Sequence, residues 1–343
     1  MVRRPRGILV ISLVAILLLA AMIVAVGVGP LSLNPAEVLR SLAVGMGWAD
    51  AGDIPASQAA VVWDVRMPRV LLAAMVGACL AIAGASLQGL FGNSLADAGV
   101  IGVTSGASLG AIGAIVLGLQ FLGTWTVPAA AFVAGMLTTS LIYVLARPGR
   151  RGGTVQILLV GIAVTAVAGS VNGFFTYIAS STELEAITFW SMGSLNRASW
   201  DSLAAGLPFF VFGAILLVLL AKPLDVLALG ERQAQHVGLH VKRTRLLLVI
   251  ATSLVVGAAV ALAGSIGFVG LVVPHIVRLA VGPVHRWLLP ISALGGALMI
   301  VLADIGARTL NPPSEIPIGL FTGIVGGPFF LWLLARRRTE MRA

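Results

Sequence analysis

Charge is scarce in this chain. Of 343 residues only 10% are Asp, Glu, Lys or Arg, where a soluble domain carries about 25%. That deficit excludes an ordinary water-facing surface. Cysteine is nearly missing as well: the single Cys79 lies inside an apolar run, which excludes an intrachain disulfide framework and a thiolate metal cluster. No G-x-x-x-x-G-K-[ST] loop occurs, so ATP hydrolysis has no phosphate-binding motif here and any ATPase has to be a partner. A basic stripe interleaved with stacking aromatics is absent too. The net charge of +9 is dispersed between apolar segments, which argues against nucleic acid.

What is present is apolar. Hydrophobic residues are 59% of the chain and the mean hydropathy is +1.04. The 41 glycines suit helices that pack backbone to backbone in a bilayer. A hydrocarbon core about 30 Å thick takes about 20 residues of helix. Ten spans are predicted near 8–29, 70–90, 100–119, 127–146, 155–178, 203–221, 246–263, 266–279, 287–303 and 318–335, with Arg278 counted among the flanking loop charges. The first follows Arg3, Arg4 and Arg6 and exceeds the ~7–15 residue core of a signal peptide, so it reads as retained. The expectation is an all-α integral membrane protein with one membrane domain over 1–343. Residues 264–282, interrupted by Gly267, Gly270 and Pro274, read as a short span or a re-entrant element. Residues 180–200 read as holding a short surface helix.

Ten spans put both termini on one side. Seventeen of the 22 basic residues then fall on that side, among them Arg147, Arg150, Arg151, Lys222, Lys242 and Arg243. By the positive-inside rule this side is cytoplasmic.

Ion-coupled carriers place ionisable groups at the midplane. The predicted spans offer only His275 as a candidate relay, beside Pro274, which disfavours an ion-coupled secondary transporter as the alternative class. An intramembrane protease would need a nucleophile paired with that histidine, and none is evident. No catalytic or metal-ligating residues are predicted.

Polar features gather in loops. Lys222 to Arg245 reads as two short helices broken at Gly230 and Gly238, the second led by Glu231. Leu227, Leu229 and Val237 exposed there would call for a covering protein; a solvated charged loop fits the residues equally well. On the opposite side, Arg66 and Arg69 in RMPR and Arg308 suit carboxylates of an external partner, or else lipid phosphates, Asp64 or Asp304. Gly102, Gly106 and Gly110 form a close-packing face. Asn172, with Ser170 and Thr176, is placed to line a pathway or to bond across helices.

Several long segments now carry a resemblance. RMPRVLLAAMVGACLAIAGASLQGLFGN (66–93), VIGVTSGASLG (100–110), LGERQAQHVGL (229–239), GSIGFVGLVVPHIVRL (264–279), HRWLLP (285–290), ADIGAR (303–308) and EIPIGLFTGIVGGPFFLWLL (315–334) resemble the FecCD/BtuC-type permease subunits of ABC importers for iron-siderophores, haem and vitamin B12. The resemblance implies ten helices per subunit, a second permease subunit, two cytoplasmic ATPases that hold ATP and Mg, an external substrate-binding protein and a bacterial inner-membrane location. It implies that Leu229, Gly230, Glu231, Ala234 and Gly238 belong to a coupling loop (about 222–245) docked to the ATPase. Arg66, Arg69 and Arg308 would face the binding protein, while Asn172, Gly323, Gly326 and Gly327 become pathway candidates. No cofactor is expected on the permease itself. Two departures stand out. The N-P-L-A-x-P turn is Asn93 to Ala98 without either proline, implying a looser turn; and Val284 replaces the acid before His285 and Arg286, leaving a salt bridge there in doubt.

Overall fold

Hydropathy of this kind leaves few choices, because backbone polar groups in lipid have to be satisfied within the segment. The computed structural model describes residues 4–29, 33–48, 55–146, 153–312 and 314–340, and among them every regular element is helical. In chain order the helices are α1 (Arg4–Gly27), α2 (Pro35–Gly45), α3 (Ala56–Ala60), α4 (Met67–Phe91), α5 (Val103–Val116), α6 (Thr126–Ala146), α7 (Gly153–Ile178) and α8 (Ser181–Met192). They continue with α9 (Trp200–Leu219), α10 (Ala221–Leu227), α11 (Glu231–His236), α12 (Val241–Ala263), α13 (Val269–Val281), α14 (His285–Thr309) and α15 (Ile318–Glu340). Arg3, Arg147, Arg150, Arg151 and Arg342 of the orientation argument lie outside the described residues.

Among the described residues, seven helical stretches are long and apolar enough to cross a membrane: those built on α1, α4, α6, α7, α9, α12 and α14. The apolar helices α5 and α13 and the apolar stretch Ile318–Leu331 of α15 are shorter. Each predicted span coincides with one of these ten helices. Their ends differ, however, because the charges at which hydropathy stops do not stop the helix. Arg69 lies inside α4, Asp304 and Arg308 inside α14, Arg245 inside α12 and Arg278 inside α13, so the helices are not free of charge.

Beyond their charged first turns, helices α4 and α12 are apolar on nearly every side and are the most enclosed, while α1 and α7 present most of their surface outward. Uniformly apolar helices of the first kind belong in an interior. Close approach there is made by glycine. A Cβ at Gly77 of α4 would sit 2.1 Å from the Gly296 oxygen of α14, and one at Gly84 would sit 2.0 Å from the Gly270 oxygen of α13. Gly102, Gly106 and Gly110 do form the expected packing face: a Cβ at each meets Ile142, Thr138 or the Ala130 oxygen of α6 within 2.3 Å.

The interrupted segment resolves into an irregular stretch, 264–268, followed by α13. Its backbone is satisfied by the turn after α8, a surface helix closed by a Ser180/Glu183 capping box. Ser194 N–H donates to the Ala263 oxygen at 2.8 Å and Ser265 N–H to the Trp190 oxygen at 3.2 Å. Irregular backbone within apolar surroundings needs this kind of internal partner. Phe268 takes a left-handed φ of 68°, which sets its ring against Gly326 of α15, where a Cβ would lie 2.3 Å from the ring.

The turn that lacks both prolines is not loose. Asn93 Oδ1 accepts from Leu95 N–H at 2.9 Å and Asp97 Oδ1 from Gly99 N–H at 3.0 Å, two local side-chain turns that replace proline's restriction. Burial pushes the Asp97 carboxyl above its usual range, against the pull of the Gly99 and Val100 N–H groups. A raised native-state pKa means that Asp97 contributes most to stability below its unfolded pKa of about 3.9 and that this is lost as pH rises through the native value. Asp97→Asn keeps an acceptor and removes the charge. Its melting temperature in detergent is expected to exceed the wild type's at pH 7, with the gap closing towards pH 4; a gap independent of pH contradicts this.

Candidate functional site

Two polar assemblies lie at opposite ends of the helix bundle. The first is built on the segment between α9 and α12, where the chain breaks into two short helices because Gly230 takes φ 107° and Gly238 φ 87°, values that other residues rarely adopt. Leu229 and Val237 stand 67% and 69% exposed, while Ala234 is fully buried. Leu227 is half-buried, which corrects its expected exposure. Large apolar side chains on an otherwise polar turn suit a surface that another protein covers.

Glu231, at the first turn of α11, accepts from Thr154 Oγ1 at 2.9 Å and forms an ion pair with Arg245. Thr154 begins α7, and Arg245 is 1% exposed on α12. One carboxylate thereby ties the loop to two long helices, and its charge near the start of α7 is favoured by that helix's dipole. Next to it, Asp225 of α10 meets His285 at the start of α14. Asp225 Oδ1 accepts from the His285 backbone N–H at 2.9 Å and lies 2.7 Å from the ring Nδ1. The acid missing at position 284 is thus replaced, as a hydrogen-bonding partner of His285, by one supplied from 60 residues away in the chain. Gln88 of α4 receives Arg278 of α13 at 2.9 Å and itself donates to the Gly270 oxygen at 3.0 Å. Gln88, Thr154, Glu231, Arg245, Arg278 and His285 line a common cavity of about 670 Å³.

The second assembly surrounds the arginines expected to face the binding protein. Arg66, Arg69 and Arg308 are 4%, 6% and 5% exposed, because their donors are used within the chain. Arg69 Nε pairs with Asp304 at 2.9 Å and its terminal nitrogens with Glu315 at 2.8 Å; Arg308 pairs with Asp304 at 3.0 Å. Arg308 also donates to the Ala25 and Val28 oxygens, and Arg66 to those of Val26 and Gly27, at 2.9 to 3.1 Å. The last carbonyls of a helix lack partners and carry its negative dipole end. Two guanidinium groups thus cap α1.

The pathway candidates are not brought together into one lining. Asn172 Nδ2 donates to Ser108 Oγ at 3.1 Å, and Ser105 and Thr165 meet at 3.3 Å, so these polar groups join α7 to α5. Gly326 is filled by Phe268, while Gly323 and Gly327 face open space. Sequence reading passed over Thr154, Asp225 and His285 as a set. The acid at 225 in an otherwise apolar LDVL run was the available signal.

Known proteins share this sequence and fold. A family model described as the FecCD transport family matches residues 17–336. The chain is 42% identical over 285 residues to the hemin transport system permease protein HmuU of Yersinia pestis, covering 81% of this chain and 84% of that one. To the cobalamin import system permease protein BtuC of Halobacterium salinarum it is 43% identical over 291 residues, covering 84% and 77%. A solved structure described as an inward-facing metal-chelate type ABC transporter superposes with a TM-score of 0.83 at 31% identity, over 95% of this chain and 98% of that one. With the family model spanning nearly the whole chain and relatives this similar over four-fifths of it, this protein belongs to the FecCD transport family.

Proposed function

We propose that this chain is the membrane-spanning permease subunit of an ATP-driven importer that moves a ferric siderophore or a similar metal chelate, such as haem or cobalamin, into the cytoplasm. The observation that carries the reading is the loop of α10 and α11: exposed Leu229 and Val237 beside a Glu231 clasped to α7 and α12. It offers a partner a grip that is mechanically joined to the bundle. In this reading ten helices span a bacterial inner membrane with both termini cytoplasmic, and a second permease subunit completes the pathway. Two ATPases hold ATP and Mg and dock on α10 and α11, and an external binding protein docks at the opposite end. There Arg66, Arg69 and Arg308 shape the surface from beneath rather than touching the partner. ATP binding and hydrolysis shift the bundle between two arrangements, and the loop transmits the shift. The permease does no bond chemistry.

Replacing Glu231 with Ala is expected to lower ATP-driven chelate uptake in proteoliposomes about tenfold, a typical coupling free energy, with insertion intact. Wild-type uptake in that variant contradicts the coupling role. Uptake driven by an ion gradient without any ATPase overturns the class and returns the ion-coupled alternative.

A further inference from the structure

We infer that Asp225 is a second transmission residue, a positioning group through which the loop moves α14 independently of the Glu231 contact. The inference rests on the importer reading above.

Two elements, α10 and α4, converge on His285. The residue is 4% exposed. On one side Asp225 of α10 holds both the backbone N–H and Nδ1 through a single oxygen. A carboxylate only accepts, so Nδ1 carries the proton in this bond. On the other side the ring lies flush on α4, where a Cβ at Gly89 would come within 2.3 Å of Nε2. Leu224, one residue before Asp225, is fully buried in the same place and lies within 3.1 Å of that Cβ position. A displacement of α10 therefore cannot leave His285 where it is, and His285 is the first residue of α14.

What α14 carries gives the contact its consequence. The helix runs 25 residues, about 37 Å at 1.5 Å per residue. Near its far end Asp304 and Arg308 hold Arg69 of α4 and the carbonyl end of α1, and Arg69 in turn holds Glu315 before α15. Glu231 reaches α7 and α12 instead. The loop has two separate connections: Glu231 to the helices around α7, and Asp225 to the rod that ends in the far charge cluster.

The test uses the complete complex in proteoliposomes, with its ATPase and binding protein, and whichever of haemin, cobalamin or a ferric hydroxamate the wild type imports. The readout is ATP hydrolysed per chelate imported. Asp225→Ala is expected to raise this ratio about fivefold, at the lower end of typical coupling strengths, while hydrolysis itself persists. Asp225→Asn, which keeps an acceptor for the backbone N–H, should stay within about twofold of wild type. Gly89→Ala, which pushes the ring from the α4 side and leaves Asp225 untouched, should reproduce the Asp225→Ala ratio. Asp225→Ala and Glu231→Ala together should multiply their effects, as independent connections do. A merely structural role would lower complex yield and both rates together with the ratio unchanged, which overturns the inference, as does an unchanged ratio in Gly89→Ala. Absence of ATP-driven uptake in the wild type overturns the importer reading as well.

Discussion

Replacing Asp304 with Ala is expected to destabilise the protein more than any other single change at its charged end. The carboxylate is 1% exposed and lies between two guanidinium groups, Arg69 at 2.9 Å and Arg308 at 3.0 Å, themselves 8% and 4% exposed by side chain. Removing it leaves two like charges facing each other out of water. Breaking a buried pair in this way costs about 3–5 kcal/mol, whereas exchanging both partners for apolar residues of similar size is often near neutral. The cluster contains three arginines and two carboxylates, a net charge of one; Asp304→Ala doubles it, and Arg69→Met with Asp304→Leu restores it. Arg308 keeps the α1 carbonyls as acceptors in both cases. Thermal unfolding in detergent, followed by size-exclusion chromatography, should rank wild type first, the double variant second and Asp304→Ala clearly last. Equal losses in the two variants would mean that volume, not unpaired charge, governs the site.

That cluster also marks where sequence reading stopped. Apolar runs identify helices because a bilayer tolerates little else, and each of the ten predicted spans coincides with a helix. The same criterion ends a span at the first charge, so Arg69 fell one residue before a predicted start and Asp304 one residue after a predicted end. In the folded chain Asp304 and Arg308 are i, i+4 neighbours on one helix, and such a pair continues a helix rather than ending it. The exposure of Arg66, Arg69 and Arg308 could not be read from spacing, since their partners lie between 39 and 283 residues away or, for Arg308 and Asp304, four residues apart on one helix.

The loop of α10 and α11 was legible in outline for a local reason. Gly230, Glu231 and Gly238 are helix-boundary signals within a few residues of each other, and the two short helices form there. Its attachments were not legible. Thr154 is 77 residues from Glu231 and His285 is 60 from Asp225, and neither distance leaves a periodic trace. Phe268 is a third kind of omission: nothing in GSIGFVGL states that an aromatic residue takes a positive φ alongside Gly264 while Gly267 and Gly270 do not. The pairing of its ring with Gly326 exists only once α13 and α15 are side by side.

Gly77→Val should abolish the folded state at physiological temperature, because the position has no slack on either side. Gly77 and Gly296 face each other at the crossing of α4 and α14: a Cβ on the first would stand 2.1 Å from the second's carbonyl oxygen, and the reverse distance is 2.2 Å. Both obstacles are backbone, so no rotamer change relieves them and the helices have to separate. Separation is not local. The same α4 contacts α13 through Gly84 seven residues later, and α14 carries Asp304 to Arg69 on α4, so an outward shift at Gly77 opens ion pairs and apolar contacts along both helices. Overpacking alone costs about 1–3 kcal/mol, and loss of the buried pair adds a further cost of similar or larger size, together comparable to the stability of a typical domain. Gly113→Ala supplies the control. It is also a buried helical glycine, but a Cβ there meets only Phe175 at 3.6 Å, ordinary contact distance, and alanine is favoured over glycine in a helix by about 1 kcal/mol. Membrane-fraction yield and monodispersity should be lost in Gly77→Val, reduced in Gly77→Ala and preserved in Gly113→Ala. A well-folded Gly77→Val protein would show that α4 and α14 do not meet through their backbones.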